Sequence, residues 1–275
     1  MRPTMRKLPA LFSVAAVAGG VLLSGCGHAP GSVAGDPLAA SLVRAEAKMQ
    51  AREATQMSIT FTGSGRLGSA YLPCMTLLTS TRPQETFSMD YIKDNTSSTG
   101  CSGDDTDTVT LHYADNLIYV TDVGRPPATS AGSKSGSCPH EVTSHAVSGE
   151  LAEKFVGQQT GQAKMADMMK AATEISGDNH QITVHIDAAA LAKVGGTSIP
   201  SGADLDDIDV TAVALLDAEG ALSSLALTME MGDVGSLKIG SSYQKSTEKP
   251  ELPDPACVRK GGAFSSESQL QSVLS

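Results

Sequence analysis

Tryptophan is absent from the chain, and phenylalanine and tyrosine occur only five times each. Sugar-binding sites usually stack hexoses on flat rings, so this shortage argues against a lectin. Eleven methionines partly fill the gap, and flexible thioether side chains suit irregular apolar ligands better. Catalytic signatures are also scarce: a Gly-x-Ser-x-Gly elbow does not occur. Positive charge is short, with 20 Lys+Arg against 30 Asp+Glu. Such a surface repels nucleic acid and anionic headgroups alike, so no nucleic-acid partner is expected. Long apolar runs are missing too. The longest, residues 8–23, is interrupted by Ser13, Gly19 and Gly20. A bilayer needs about 20 apolar positions, which makes this run marginal for a span.

That run nevertheless has an organised setting. Arg2, Arg6 and Lys7 precede it, and no acid occurs before Cys26. A basic start, an apolar middle and a small-residue end form the layout of an export signal. Cys26 then has three candidate fates: pairing with another thiol, holding a metal with His28, or chemical modification. Two ligands on a Gly-Pro-rich segment cannot close a tetrahedral site, which counts against the metal. Leu23-Ser24-Gly25-Cys26 resembles the lipobox of bacterial lipoproteins. The resemblance implies that residues 1–25 are a signal peptide cut away before Cys26, whose thiol is first joined to diacylglycerol. Two acyl chains hold stably where one binds marginally, at about 0.8 kcal/mol per buried methylene. The expected location is therefore the extracytoplasmic face of the cell membrane, with the cytoplasmic membrane a partner through the anchor. An ordinary signal with a chance cysteine is the alternative.

From Cys26 onward 250 residues remain, enough for one domain with a sizeable core. Without Arg2, Arg6 and Lys7, 17 Lys+Arg face 30 Asp+Glu, a net charge of −13. Four cysteines remain in this part: Cys74, Cys101, Cys138 and Cys257. An even number in an oxidising compartment reads as two disulfides, with three connectivities open. The pairing expected is Cys74–Cys101 with Cys138–Cys257; free buried thiols are the alternative. Each bridge is worth about 3–4 kcal/mol through the unfolded chain if it is unstrained.

Residues 26–36 comprise the lipidated cysteine and a flexible Gly/Ala/Ser/Pro tether with a mean reach of about 15–20 Å. Asp36-Pro37 is a helix start, a capping carboxylate before a proline in the first turn. Leu38, Leu42, Ala45 and Met49 follow at helical spacing. At Met57 the period becomes two: Met57, Ile59 and Phe61 alternate with polar residues, as do Phe87, Met89 and Tyr91, then Val109, Leu111 and Tyr113. Asp115-Asn116 reads as a turn. A second helical stretch is expected over residues 150–175, broken near Gly157 or Gly161. It carries Met165, Met168, Met169, Ala172 and Ile175 on one face, and Gly177 stops it. Strands return with Ile182, Val184 and Ile186; after a loop come Ile208 and Val210, then Leu225, Leu227 and Met229, then Leu237 and Ile239. Residues 250–275 read as a coil and polar tail apart from Cys257. Helix, about five strands, a helical insertion and four or five strands give an α+β layout, a largely antiparallel sheet with helices on one face.

This order resembles the LolA/LolB-type fold, and most of all the LppX/LprG-type lipoproteins, over residues 37–245. The matching text is "DPLAASLVRAEAKMQAREATQMSITFTGSG", "NLIYVTD", "QITVHIDAAAL" and "DVTAVALLDAEGALSSLALTMEMGDVGSLKIGSSYQK". The resemblance implies a domain over residues 37–249 built as a curved antiparallel half-barrel with helices over its concave face. It also implies an apolar cavity between the layers for a lipid or acylated ligand. Ile59, Met165, Met168, Met169, Leu227 and Met229 are the expected lining.

Other signals are weaker. "HEVTSH", residues 140–145, resembles a zinc-hydrolase helix but spaces its histidines five apart, off one helical face. "SYQK", residues 242–245, has the Ser-x-x-Lys spacing of penicillin-recognising enzymes, yet a strand points the two side chains to opposite faces. The acids Asp104, Asp105 and Asp107, or Asp204, Asp206, Asp207 and Asp209, read as solvated loops rather than calcium sites. His112 and His185 fall on the polar side of their strands, as surface residues. No cofactor, metal or enzymatic activity is expected. The leading reading is an anchored protein that binds or carries a lipid, and the alternative is an anchored sensor or accessory interaction protein without a ligand.

Overall fold

The computed structural model describes residues 33, 35–65, 72–80, 86–95, 101, 108–123, 138–159, 165–195 and 207–274. Cys26 and the export signal lie outside them, as do Gly161, Asp104, Asp105, Asp107, Asp204 and Asp206.

Helix α1, Pro37–Gln50, starts where the sequence places it. The Asp36 carboxylate accepts a 2.7 Å hydrogen bond from the Leu38 N–H, and Pro37 occupies the first turn. Its buried stripe is Ala39, Leu42, Ala45, Glu46 and Met49. Six strands follow: β1 Ala54–Gly63, β2 Leu72–Ser80, β3 Thr86–Asn95, β4 Thr108–Ala114, β5 Leu117–Asp122 and β6 Glu141–Ala146. Asp115 and Asn116 join β4 to β5 with φ of 52° and 61°, the left-handed pair that a two-residue hairpin requires.

Next come α2 Gly149–Gln159, α3 Met165–Ala171, β7 Ala172–Gly177, β8 Gln181–Asp187, α4 Ala188–Gly195, β9 Asp209–Leu216, β10 Leu222–Glu230 and β11 Ser236–Lys245. The chain ends with a 3-10 turn Pro255–Cys257, β12 Val258–Lys260 and α5 Glu267–Gln271. Three expectations change here. Ala172 and Ile175 leave the methionine face for β7, because β-branched Thr173 and Ile175 gain a ladder with β8, Ile175 opposite Val184. Gly177 thus ends a strand rather than a helix; its φ is +123°, and a Cβ there would lie 2.1 Å from the Gln181 carbonyl oxygen. The tail is not a coil, since β12 joins the sheet and Leu270 and Leu274 are buried in the core.

All twelve strands form one sheet, ordered β12-β6-β5-β4-β3-β2-β1-β11-β10-β9-β8-β7. Every pairing is antiparallel except β12 with β6. Two meanders, β1–β6 and β7–β11, are joined by the β1·β11 seam, with Met57 opposite Tyr243 and Ile59 opposite Ser241. The sheet is open, with β12 and β7 at its edges. Helix α1 packs against β10, β7 and α3, while α3 and α4 pack against β8 and each other. Their apolar side chains and one face of the strands make a single core.

An electrostatic clip fixes α1 over the β9–β10 turn. The Arg52 guanidinium pairs with the Asp217 carboxylate, and the Lys48 Nζ donates to the Glu219 carbonyl oxygen at 2.8 Å. Partial burial works to raise the Asp217 pKa. Hydrogen bonds from the Ala221 N–H, Arg52 and the Glu219 N–H outweigh it and hold this carboxyl below its usual value. A depressed carboxyl stabilises the fold above the ordinary carboxylate range, and the contribution is lost as pH falls through the folded value. Arg52→Ala should cost about 1 kcal/mol at pH 7. Urea unfolding against pH should show that cost shrinking as pH falls below the ordinary carboxylate range and through the depressed value of Asp217; a cost independent of pH would assign it to packing instead.

Candidate functional site

Direct cross-strand neighbours share a face of a sheet, so the register identifies which residues look toward the helices. One row runs Met57, Leu77, Met89 and Leu111 through β1, β2, β3 and β4. A second runs Ile59, Met75, Tyr91 and Val109. On the other side of the seam, Phe61 faces Ile239, Ile239 faces Leu227, and Leu227 faces Ala212. Met229 stands between Leu237 and Val210.

All six expected lining residues belong to this layer or pack against it. They fall into two groups. Ile59, Met165 and Met168 are 1%, 2% and 3% exposed, and Met169 is also buried. A wall facing a void as wide as an acyl chain would retain accessible surface, so the interior at Ile59, Met165 and Met168 is filled by the protein's own atoms. Leu227 and Met229 are only half-buried, as are Phe61, Tyr91, Ile239 and Met231. Phe61, Ile239 and Leu227 make a continuous half-buried row across the seam, grading into the filled interior.

The methionine helix is held in place by a buried acid. Glu46 on α1 accepts a 3.1 Å hydrogen bond from the Met165 N–H, capping α3 from a neighbouring helix. Around it, Met49, Met57, Met75, Met89, Met165, Met168 and Met169 are all buried. Phe155 on α2 belongs to the same core and is fully buried. Sequence periodicity did not single out Phe155, because a lone aromatic in a polar helix carries no period of its own.

Both expected disulfides are present, Cys74–Cys101 and Cys138–Cys257. Cys74 points to the face away from the helices, where the Cys101 sulfur lies 3.5 Å from Ser58 Oγ. Among the other sequence signals, residues 141–146 form strand β6, so His140 and His145 do not share a helix at all. His145 instead sits under the C-terminal segment: its ring stacks on Phe264 at 4.2 Å, and Nδ1 is 2.7 Å from the Gly262 carbonyl oxygen. Ser242 and Lys245 lie three apart on β11 and so on opposite faces. Among the described residues no group of His, Cys, Asp and Glu is arranged to hold a metal.

His112 does not fit the surface expectation. It stands on the outer face, but its Nδ1 is buried without a hydrogen-bond partner among the described residues. Burial lowers its pKa, and nearby Asp90 offsets this only in part. A surface cleft of about 480 Å³ lies elsewhere, between the start of α2 and the segment ahead of α5, lined by Ser148, Glu150, Lys154 and Glu267 among others. Leu151 also lines it, and none of the expected lining residues reaches it.

No protein-family model matches the chain. No curated protein matches it either. Among solved structures, the chain is similar to LprF from Mycobacterium bovis, at 10% identity with a TM-score of 0.41, covering 80% of this chain and 98% of that one. At this identity and score the likeness carries no functional weight.

Proposed function

We propose that this chain is an exported lipoprotein, anchored through Cys26 on the extracytoplasmic face of the membrane, whose domain binds or carries an acylated molecule. The observation that supports the reading is the half-buried row of Phe61, Ile239 and Leu227, with Met229 beside it, leading into a methionine-rich interior. In this reading the sheet is curved, its concave face is the helix-covered one, and this row is the mouth.

The mechanism is burial. Acyl methylenes leave water for the layer between sheet and helices, gaining about 25 cal/mol per Å² of apolar surface removed. Because the space at Ile59, Met165 and Met168 is filled, a ligand has to displace side chains or move α3. Methionine suits that demand: three rotatable bonds and a polarizable sulfur allow repacking at lower cost than branched residues. No covalent chemistry is required of the protein, and the reading is non-enzymatic.

The test uses the mature chain from Cys26 with Cys26→Ser, which keeps it free of its own acyl chains. Solvent extraction followed by mass spectrometry should yield co-purified lipid, and a fluorescent fatty acid should bind saturably. Leu227→Arg should weaken that uptake about tenfold, since an unpaired charge at the mouth opposes entry. Absence of both bound lipid and uptake would overturn the proposal. The filled interior supports a second reading, an anchored interaction protein with no ligand; it predicts stable protein partners in a pull-down and no uptake.

A further inference from the structure

We propose that the C-terminal segment, residues 255–274, is a strap held closed by the Cys138–Cys257 disulfide, which a dithiol reductant releases. After β11 the chain leaves the middle of the sheet, and β12 rejoins it at the far edge, beside β6. The connecting residues 246–254 contain Pro250 and Pro253, which cannot donate ladder hydrogen bonds, and form no helix or strand. What holds the strap is therefore local.

Its noncovalent hold is made of short-range contacts. The β12·β6 ladder has three residue pairs, Val258–Val142, Arg259–Thr143 and Lys260–Ser144, and is parallel, the weaker arrangement. Gly261 passes so close to His145 that a Cβ would meet the ring at 2.4 Å, and Phe264 then stacks on that ring. Beyond it, α5 is five residues long, too short to persist unaided. Leu270 and Leu274 are buried in the core, and Glu267 pairs with Lys154 of α2. Two buried leucines, the partly buried Phe264 and Val273, one ring stack, the Arg259–Glu141 pair and a short ladder extended by the Gly261 and Phe264 N–H bonds to Ser144 and Ala146 must offset the ordering of some 20 residues, and the covalent bridge tips that balance toward the closed strap.

The two bridges differ in reach. Cys74 is fully buried and leaves only Cys101 half-buried for attack, whereas both sulfurs of the other bridge, Cys138 and Cys257, belong to half-buried residues. In the release step, one thiolate of the reductant attacks a sulfur of the Cys138–Cys257 bridge and forms a mixed disulfide. Its second thiolate then closes on the first, the reductant leaves as a disulfide, and two protons complete two thiols on the protein. Release would uncover the β6 edge and the core beneath Leu270 and Leu274.

The experiment exposes the mature oxidised protein to rising dithiothreitol. Thiol alkylation reports which bridge opens, and hydrogen exchange with mass spectrometry reports each segment. The expected result is opening of Cys138–Cys257 first, with exchange in residues 255–274 and β6 rising about tenfold or more while β1–β3 amides keep their protection. Cys138→Ser/Cys257→Ser should reproduce that pattern without reductant. Unchanged strap protection after both thiols are alkylated would overturn the proposal. So would a uniform rise across the sheet, or opening of Cys74–Cys101 at the same reductant concentration. The device stands apart from ligand carriage, and failure of lipid uptake leaves these outcomes untouched.

Discussion

Cys26→Ala is expected to move the protein from the membrane to the soluble fraction, with the mass of a diacylglyceryl group lost from the mature chain. The size of the effect follows from what else is available to hold it. The chain from Cys26 onward has 17 Lys+Arg against 30 Asp+Glu, so it is repelled by anionic headgroups rather than drawn to them. No helix among the described residues is long and apolar enough to cross a bilayer. At about 0.8 kcal/mol per methylene, two long acyl chains account for far more than the few kcal/mol that separate membrane-bound from free. Membrane partitioning should fall by about a thousandfold or more. Detergent phase separation and intact-mass measurement check it; a variant that remains in the membrane, or whose mass matches the unsubstituted protein, would sink the anchor.

Phe155→Ala should cost about 3–5 kcal/mol of stability, since it removes the largest fully buried side chain. The loss combines apolar transfer with the hollow left behind, because α2 is held on both sides, by the sheet core and by α5. In a domain of this size the melting temperature should drop by about 10 °C. Val43→Ala, on the solvent side of α1 at 38% exposed, should change stability by less than about 0.5 kcal/mol. Thermal unfolding of the two variants under oxidising conditions separates them, and equal shifts would mean that the burial of Phe155 contributes no more than an exposed side chain does.

Helix α1 and strands β1, β3, β4, β5 and β8–β11 were legible because each carries its own local signal, a cap or a clean alternation. Strand β2 was not singled out, for a definite reason. Its sequence LPCMTLLTS is apolar on both faces, since Cys74 is buried on the outer face by its bridge while Met75 and Leu77 face the core. In β6 the reverse holds: EVTSHA has one apolar buried position, and His145 is covered by residues more than a hundred positions away. Helix α4 was readable in principle, because Asp187 accepts from the Ala190 N–H as a capping side chain does. Leu270 and Leu274 had helical spacing too, but over too few residues to outweigh a polar setting.

The expected lining was legible as a set of residues but not as a state. Alternation shows which side chains face the helices; it does not encode the distance between the two layers. That distance follows from contacts remote in sequence, such as the one by which Glu46 on α1 holds the start of α3, between residues 119 positions apart. The same six residues are therefore compatible with a hollow or a solid interior, and at Ile59, Met165 and Met168 the interior is solid.

The β1·β11 seam has a consequence for synthesis and export. The first strand made pairs with one of the last, Thr55 opposite Lys245. If the chain crosses a membrane amino end first, as the proposed export requires, β1 can pair with β2 early, yet its other edge stays bare until nearly the whole polypeptide has crossed. Such long-range closure is slow, and a nascent sheet with an unsatisfied central strand is prone to stray association. Under the proposed export and Cys26 anchor, a newly made molecule passes through an interval in which it is already tethered but not yet whole, and an envelope chaperone would find it there.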